Sequence, residues 1–188
     1  SPSLGVPFFV KDSRWVYVNN LTISDQSKEK KKYYIDASVI LSGIYLINTR
    51  DSEFSNLNIS NLYLNATTFG RTDASNPNPW SNYGTALGDS LISGVQLVDS
   101  DNITITNASI GRIRAFSQAY CTGHCILSGS SAAYAILMSS TSNSRISNVT
   151  LDGMSSSTFI SGSPASPISK TAGIYLTESD GNSISGVK

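Results

Sequence analysis

One stretch, Gly94 to Ile110 (GVQLVDSDNITITNASI), constrains the fold more than any other, because its pattern occurs five times. A repeat of this period makes each copy one structural unit, and such units bury their apolar faces by stacking. Gly94-Val95-Gln96-Leu97 opens the unit and Ile105-Thr106-Asn107-Ala108-Ser109-Ile110 closes it. Ala135-Ile136-Leu137-Met138 leads likewise to Ile146-Ser147-Asn148-Val149-Thr150-Leu151. Gly43-Ile44-Tyr45-Leu46 leads to Phe54-Ser55-Asn56-Leu57-Asn58-Ile59, and Gly173-Ile174-Tyr175-Leu176 to Ile184-Ser185-Gly186. Gly5-Val6-Pro7-Phe8 leads to Val18-Asn19-Asn20-Leu21-Thr22-Ile23, with two extra residues between the halves. The copies start at 5, 43, 94, 135 and 173, spaced by 38, 51, 41 and 38 residues. A constant core with variable remainders places the insertions outside a stacked interior.

Val6, Ile44, Val95, Ile136 and Ile174 share one position, and Phe8, Leu46, Leu97, Met138 and Leu176 the position two later. Apolar residues two apart, many of them β-branched, predict strands with one buried face. Each copy carries a second strand and a third short one, as at Ile35 to Leu41 or Leu91 to Gly94. Like residues then pile on like, about 4.8 Å apart. Asn20, Asn56, Asn107 and Asn148 recur in the second strand, with Gly186 in the last copy. An inward asparagine ladder is expected there, each amide donating to one neighbour and accepting from the other.

With GIYL and N-x-x-I-x-N-x-x-I in place, best seen at Asn102 to Ile110 and Asn143 to Leu151, the chain resembles the right-handed parallel β-helix superfamily of pectin-lyase-like proteins and their non-enzymatic relatives. The resemblance covers nearly the whole chain apart from loops. It implies an all-β right-handed parallel β-helix, a solenoid of about five coils with long loop insertions, as a single domain over 1–188. It implies little about function, because sites rather than folds carry activity.

Composition narrows the classes. Lys+Arg and Asp+Glu are both 13, so the formal charge is zero, and no nucleic-acid partner is expected. Charged residues are only 14%. No apolar run approaches the roughly 20 residues of a membrane span. The chain begins Ser1-Pro2, with neither initiator Met nor signal peptide, which fits a processed secreted protein or an excised segment. An extracellular location is therefore expected. Six N-x-S/T triplets accompany it, at Asn20, Asn58, Asn65, Asn102, Asn107 and Asn148. Asn65 and Asn102, expected in loop or turn, and Asn58, expected to face out from a strand, are the better acceptors for covalent glycan. Asn20, Asn107 and Asn148 are the expected inward ladder and poorer acceptors.

Between the copies lie four stretches expected as loops. Ser24 to Lys32 (SDQSKEKKK) reads as a solvated tip or as a patch for an acidic glycan. Ala66 to about Ala86 carries Trp80 and Tyr83, which could stack on a sugar or pack the loop onto the wall. Gly111 to Ser131 holds Cys121, His124 and Cys125. In a secreted chain two cysteines four apart are expected to form a disulfide, and a metal site would need more ligands. Neither metal nor cofactor is expected. Ser155 to Pro167 is serine-rich.

The superfamily's lyases and hydrolases hold acidic and basic groups on outward positions, and glycoside hydrolysis needs a paired acid and base. The outward positions expected here are Pro7, Tyr45, Gln96, Leu137 and Tyr175, then Ser55, Thr106, Ser147 and Ser185, none a carboxylate. Gly123-His124-Cys125 resembles the Gly-His-Gly segment of polygalacturonases, with Cys third and without the neighbouring aspartates. Asp99 and Asp101 form either a small acidic site or the start of a turn. The expected function is a structural or adhesive module, self-associating end to end into a fibre or continued by further coils. The alternatives are a carbohydrate-active enzyme and a polysaccharide-binding segment using Tyr45, Trp80, Tyr83 or Tyr175.

Overall fold

The structure, a computed structural model, describes residues 3–33, 38–71, 84–122, 125–161 and 165–188. Among these residues the chain forms strands and turns and no helix. One sheet contains β1 (Ser3–Gly5), β2 (Phe8–Lys11), β6 (Val39–Ile47), β8 (Gly84–Val98), β10 (Cys125–Ser139) and β12 (Ala165–Thr177). The other contains β3 (Tyr17–Asn19), β4 (Thr22–Ser24), β5 (Ser27–Tyr33), β7 (Arg50–Arg71), β9 (Asp101–Thr122), β11 (Arg145–Ser161) and β13 (Ser183–Val187). From β6 onward the chain alternates between the sheets, and every strand pairing is parallel. Each circuit through both sheets therefore adds one strand to each.

The register sets like on like. Ile44, Val95, Ile136 and Ile174 share one column, and Leu46, Leu97, Met138 and Leu176 another. In the second sheet Phe54, Ile105, Ile146 and Ile184 do the same. These columns face a single core between the sheets, where Ile44, Leu46, Ile59, Leu62 and Leu97 are fully buried.

Ser3, Val39, Ser90 and Ser131 lie in one column, and Tyr33, Phe69, Tyr120 and Ser161 in another. In each circuit 30 residues separate the two. The return to the first column takes 6, 21, 11 and 8 residues in successive circuits. All variation in repeat length thus enters at one corner, as variable remainders outside a constant core predict.

Two sequence expectations need correction. Phe8 pairs with Ile44 and Val10 with Leu46, so the first circuit is offset by 36 residues and Gly5 is not the equivalent of Gly43. With this register Val18 falls opposite Phe54, and the two extra residues vanish. The apolar pair Val6 and Phe8 imitated the motif two residues out of phase. The described residues of the four expected loops are also largely strand: β5 starts at Ser27, β7 runs to Arg71, β9 to Thr122, and β11 to Ser161. Their inward positions carry Ala66, Thr68, Ala115, Ser117 and Ala119, all essentially inaccessible. Small side chains fill this end of the interior, so the alternation of large apolar residues disappears from the sequence.

The corners explain the recurring asparagines differently from expectation. Asn20, Asn56, Asn107 and Asn148 have φ between 52° and 58°, and Gly186 has φ 60°. They are left-handed residues on exposed bends, not an inward ladder. Asparagine and glycine tolerate this conformation best. Only Asn148 Nδ2 to Asn107 Oδ1, at 3.4 Å, makes an amide rung in that column, and Asn56 Nδ2 donates instead to Asn19 Oδ1 at 2.7 Å. Two more left-handed columns flank a second corner: Asp12, Asn48, Asp99, Ser140 and Glu178, then Trp15, Asp51, Asn102, Asn143 and Gly181. Between them runs a hydroxyl column of Ser13, Thr49, Ser100, Thr141 and Ser179, each donating to the carbonyl two residues earlier.

Candidate functional site

The outer face of the first sheet brings Phe9, Tyr45, Gln96, Leu137 and Tyr175 into one column. Phe9 takes the place expected of Pro7, through the corrected register. Tyr45 packs against Phe9 with ring centroids 5.6 Å apart, and Tyr175 stacks on Tyr134 at 5.0 Å. Burial, followed by the negative charge of Asp99, pushes the Tyr45 hydroxyl above the usual phenol range. Burial and then Tyr175 do the same to Tyr134. Gln96 accepts from Ser42 Oγ at 2.8 Å, and Ser42 meets Ser93 at 2.9 Å, a buried polar knot between the two aromatic pairs. Tyr45 and Tyr175 are thus separated by Gln96 and Leu137 and form no continuous platform. Trp80 and Tyr83 lie outside the described residues, as does His124.

The glycan acceptors divide by exposure. Asn58 is exposed between buried Leu57 and Ile59. Asn65 lies on β7 rather than in a loop, half-buried, and accepts from Thr67 Oγ1 at 3.3 Å. Asn102 is exposed at a corner, its amide nitrogen donated to Asp51 Oδ1 at 2.8 Å. Asn20, Asn107 and Asn148 are exposed rather than inward. Cys121 is disulfide-bonded, and Cys125 is the only other cysteine in the chain.

Asp101 is committed to structure: hydrogen bonds from Ser142 and Asn143 hold its carboxyl below the usual carboxylate range. Outward carboxylates do exist, however, at Asp51 and Glu53. Sequence reasoning missed them by starting the second strand at Phe54, whereas β7 begins at Arg50. Among the described residues no three of His, Cys, Asp and Glu converge in a way that could hold a metal.

The two ends of the stack carry the most unusual chemistry. At one end, inward-column residues open to solvent: Leu176 is 36% exposed, Ile184 42% and Val187 41%. At the other end Phe8, Val10 and Val18 of the same columns are half-buried. Beside them, positions that hold Leu64 and Ala66 in the next circuit hold Lys28 and Lys30. Lys28 Nζ donates to the Leu4 carbonyl at 2.6 Å and Lys30 Nζ to that of Ser38 at 3.1 Å. These lysines, read from sequence as a loop tip or sugar patch, cap part of the interior by satisfying the carbonyls of Leu4 in β1 and of Ser38 just before β6.

No family model, no curated protein and no solved structure matches the chain. The reading of function therefore stands on geometry alone.

Proposed function

We propose that the circuits form a right-handed parallel β-helix of about five coils that serves as an extracellular, glycosylated structural module, and that its open ends receive the coils of a second copy. The observation carrying this reading is the match between the end columns. Ile174, Leu176, Ile184 and Val187 occupy the columns that begin with Phe8, Val10, Val18 and Leu21. Stacking one copy on the next would continue four apolar columns without a change of register. It would also pair the strand edges, whose free N–H and C=O groups are templates for association. The contact is head to tail and does not close on itself, so repetition gives a filament. Asn58 and Asn20, exposed in N-x-S/T triplets, are the acceptors that would keep the outer wall hydrated.

Electron microscopy and sedimentation of the 188-residue chain test this reading. The expected result is filaments or a concentration-dependent series of linear oligomers, abolished by Leu176→Lys or Ile184→Lys. Glu178→Asn should lengthen them, because in the stacked column Glu178 would sit over Asp12, where Asn48 now donates to Asp12 Oδ1 at 2.7 Å. A monodisperse monomer at all concentrations would overturn the proposal.

A further inference from the structure

A second site lies on the outer wall of the other sheet, beginning in the first circuit and running into the two that follow. Two adjacent columns run side by side there. One is the left-handed corner column of Trp15, Asp51 and Asn102, and the other is Tyr17, Glu53 and Thr104. Read down the stack, each column presents an aromatic ring, then a carboxylate, then a neutral polar group. These six residues line an open depression of about 380 Å³. That volume is within the range of small-ligand sites. Three circuits span about 10 Å at ordinary strand spacing.

Trp15 makes the column exceptional. Its φ is 56°, at a position where the following circuits hold Asp, Asn, Asn and Gly. A bulky residue is disfavoured there, and strained residues gather at functional sites. Nothing in packing compensates, for Trp15 is 68% exposed and Tyr17 is 73% exposed. Asp51, by contrast, is positioned: Asn102 Nδ2 donates to it at 2.8 Å, and Arg14 Nε lies 3.7 Å away. Glu53 is exposed and has no side-chain partner among the described residues. The depression therefore offers flat apolar rings beside oriented acceptors.

We propose that this depression binds a neutral glycan. A pyranose ring has an apolar C–H face to lay on Trp15 or Tyr17, and hydroxyls around its rim to donate to Asp51 and Glu53. Amide and hydroxyl groups of Asn102 and Thr104 supply the remaining partners. Hydrogen bonds from hydroxyls to carboxylates are strong and directional. The two carboxylates disfavour uronate polymers by like-charge repulsion, which separates this site from one built for acidic polysaccharide.

The chain has two tryptophans, Trp15 and Trp80, so a Trp80→Phe background makes Trp15 the sole indole reporter. The probes are neutral hexasaccharides of glucose, mannose and N-acetylglucosamine, with hexagalacturonate and hexalysine as charged controls. The expected result is saturable Trp15 fluorescence change with at least one neutral hexasaccharide. Calorimetry on the unsubstituted chain should then show binding at least tenfold weaker for Trp15→Asn and for Glu53→Gln. Trp15→Asn suits the left-handed turn, so a folded, thermally stable variant without binding excludes unfolding as the cause. The proposal is overturned if no neutral hexasaccharide titrates at millimolar concentration, if binding survives Trp15→Asn undiminished, or if only hexagalacturonate or hexalysine binds.

Discussion

Asn143 reaches back one circuit to Asp101, its Nδ2 lying 2.9 Å from Asp101 Oδ1. Ser142 Oγ donates to the same oxygen at 2.7 Å. The two donors favour the ionised carboxylate and lower its pKa in the folded chain.

The sign of the resulting pH dependence follows. A carboxyl whose folded pKa is depressed stabilises fully above its unfolded value, near 4, and loses that contribution as pH falls through the folded value. Melting temperature should therefore drop between about pH 5 and pH 3, and Asp101→Asn should drop less over the same range. Asp101 is partly exposed at the corner, so screening keeps the difference small and best measured at low salt. An identical pH profile for the two proteins would contradict the assignment.

Gly94 is required for close approach rather than for an unusual φ. A Cβ there would meet Ile110 Cγ2 across the core and lie 2.8 Å from the Ala135 carbonyl oxygen. Gly94→Ala should destabilise by about 1–3 kcal/mol through overpacking. Ala135 fills the same column one circuit later, so Ala135→Gly should cost only about 0.5–1 kcal/mol. Chemical denaturation of both variants checks the order.

Trp15→Asn should raise stability by about 1 kcal/mol, because it relieves a bulky residue of the left-handed conformation. Thermal melting reads this directly. A fall in melting temperature would mean that the Trp15 ring contributes packing that its exposure does not show.

Two buried hydroxyls should respond with opposite signs. Thr68 Oγ1 is buried and has no partner, so Thr68→Val should stabilise by about 1 kcal/mol. Ser144 Oγ donates to the Ser142 carbonyl at 2.9 Å and accepts from the Ile103 N–H at 3.0 Å. Ser144→Ala leaves that N–H unpaired and should cost about 1–3 kcal/mol. Unfolding free energies of the pair test the contrast.

The apolar columns were legible because Ile44, Val95, Ile136 and Ile174 are large, β-branched and evenly placed. The third stretch of each circuit was not, because Ala66, Ser117 and Ala119 are small and look like loop. The exchange of Asn148 for Gly186 in one column was the missed clue to left-handed corners, since glycine cannot replace a laddered amide but does replace a left-handed asparagine. The hydroxyl column at Ser13, Thr49, Ser100, Thr141 and Ser179 was equally regular and went unread. In a serine-rich chain, its period is masked by serines elsewhere. The Trp15 depression could not be seen from sequence, because it joins outward residues of three circuits that lie just before the start assigned to the second strand at Val18, Phe54 and Ile105.

The fixed 30-residue path has a consequence for how such a chain can change. A residue added anywhere along it would turn every later side chain in that circuit to the opposite face. A residue added between Arg71 and Gly84, or between the corresponding paired segments of another circuit, disturbs no paired column among the described residues. The chain behaves like a ruler with one expansion joint per turn. Foreign peptides, tags or whole domains should be tolerated at that joint and nowhere else along the wall.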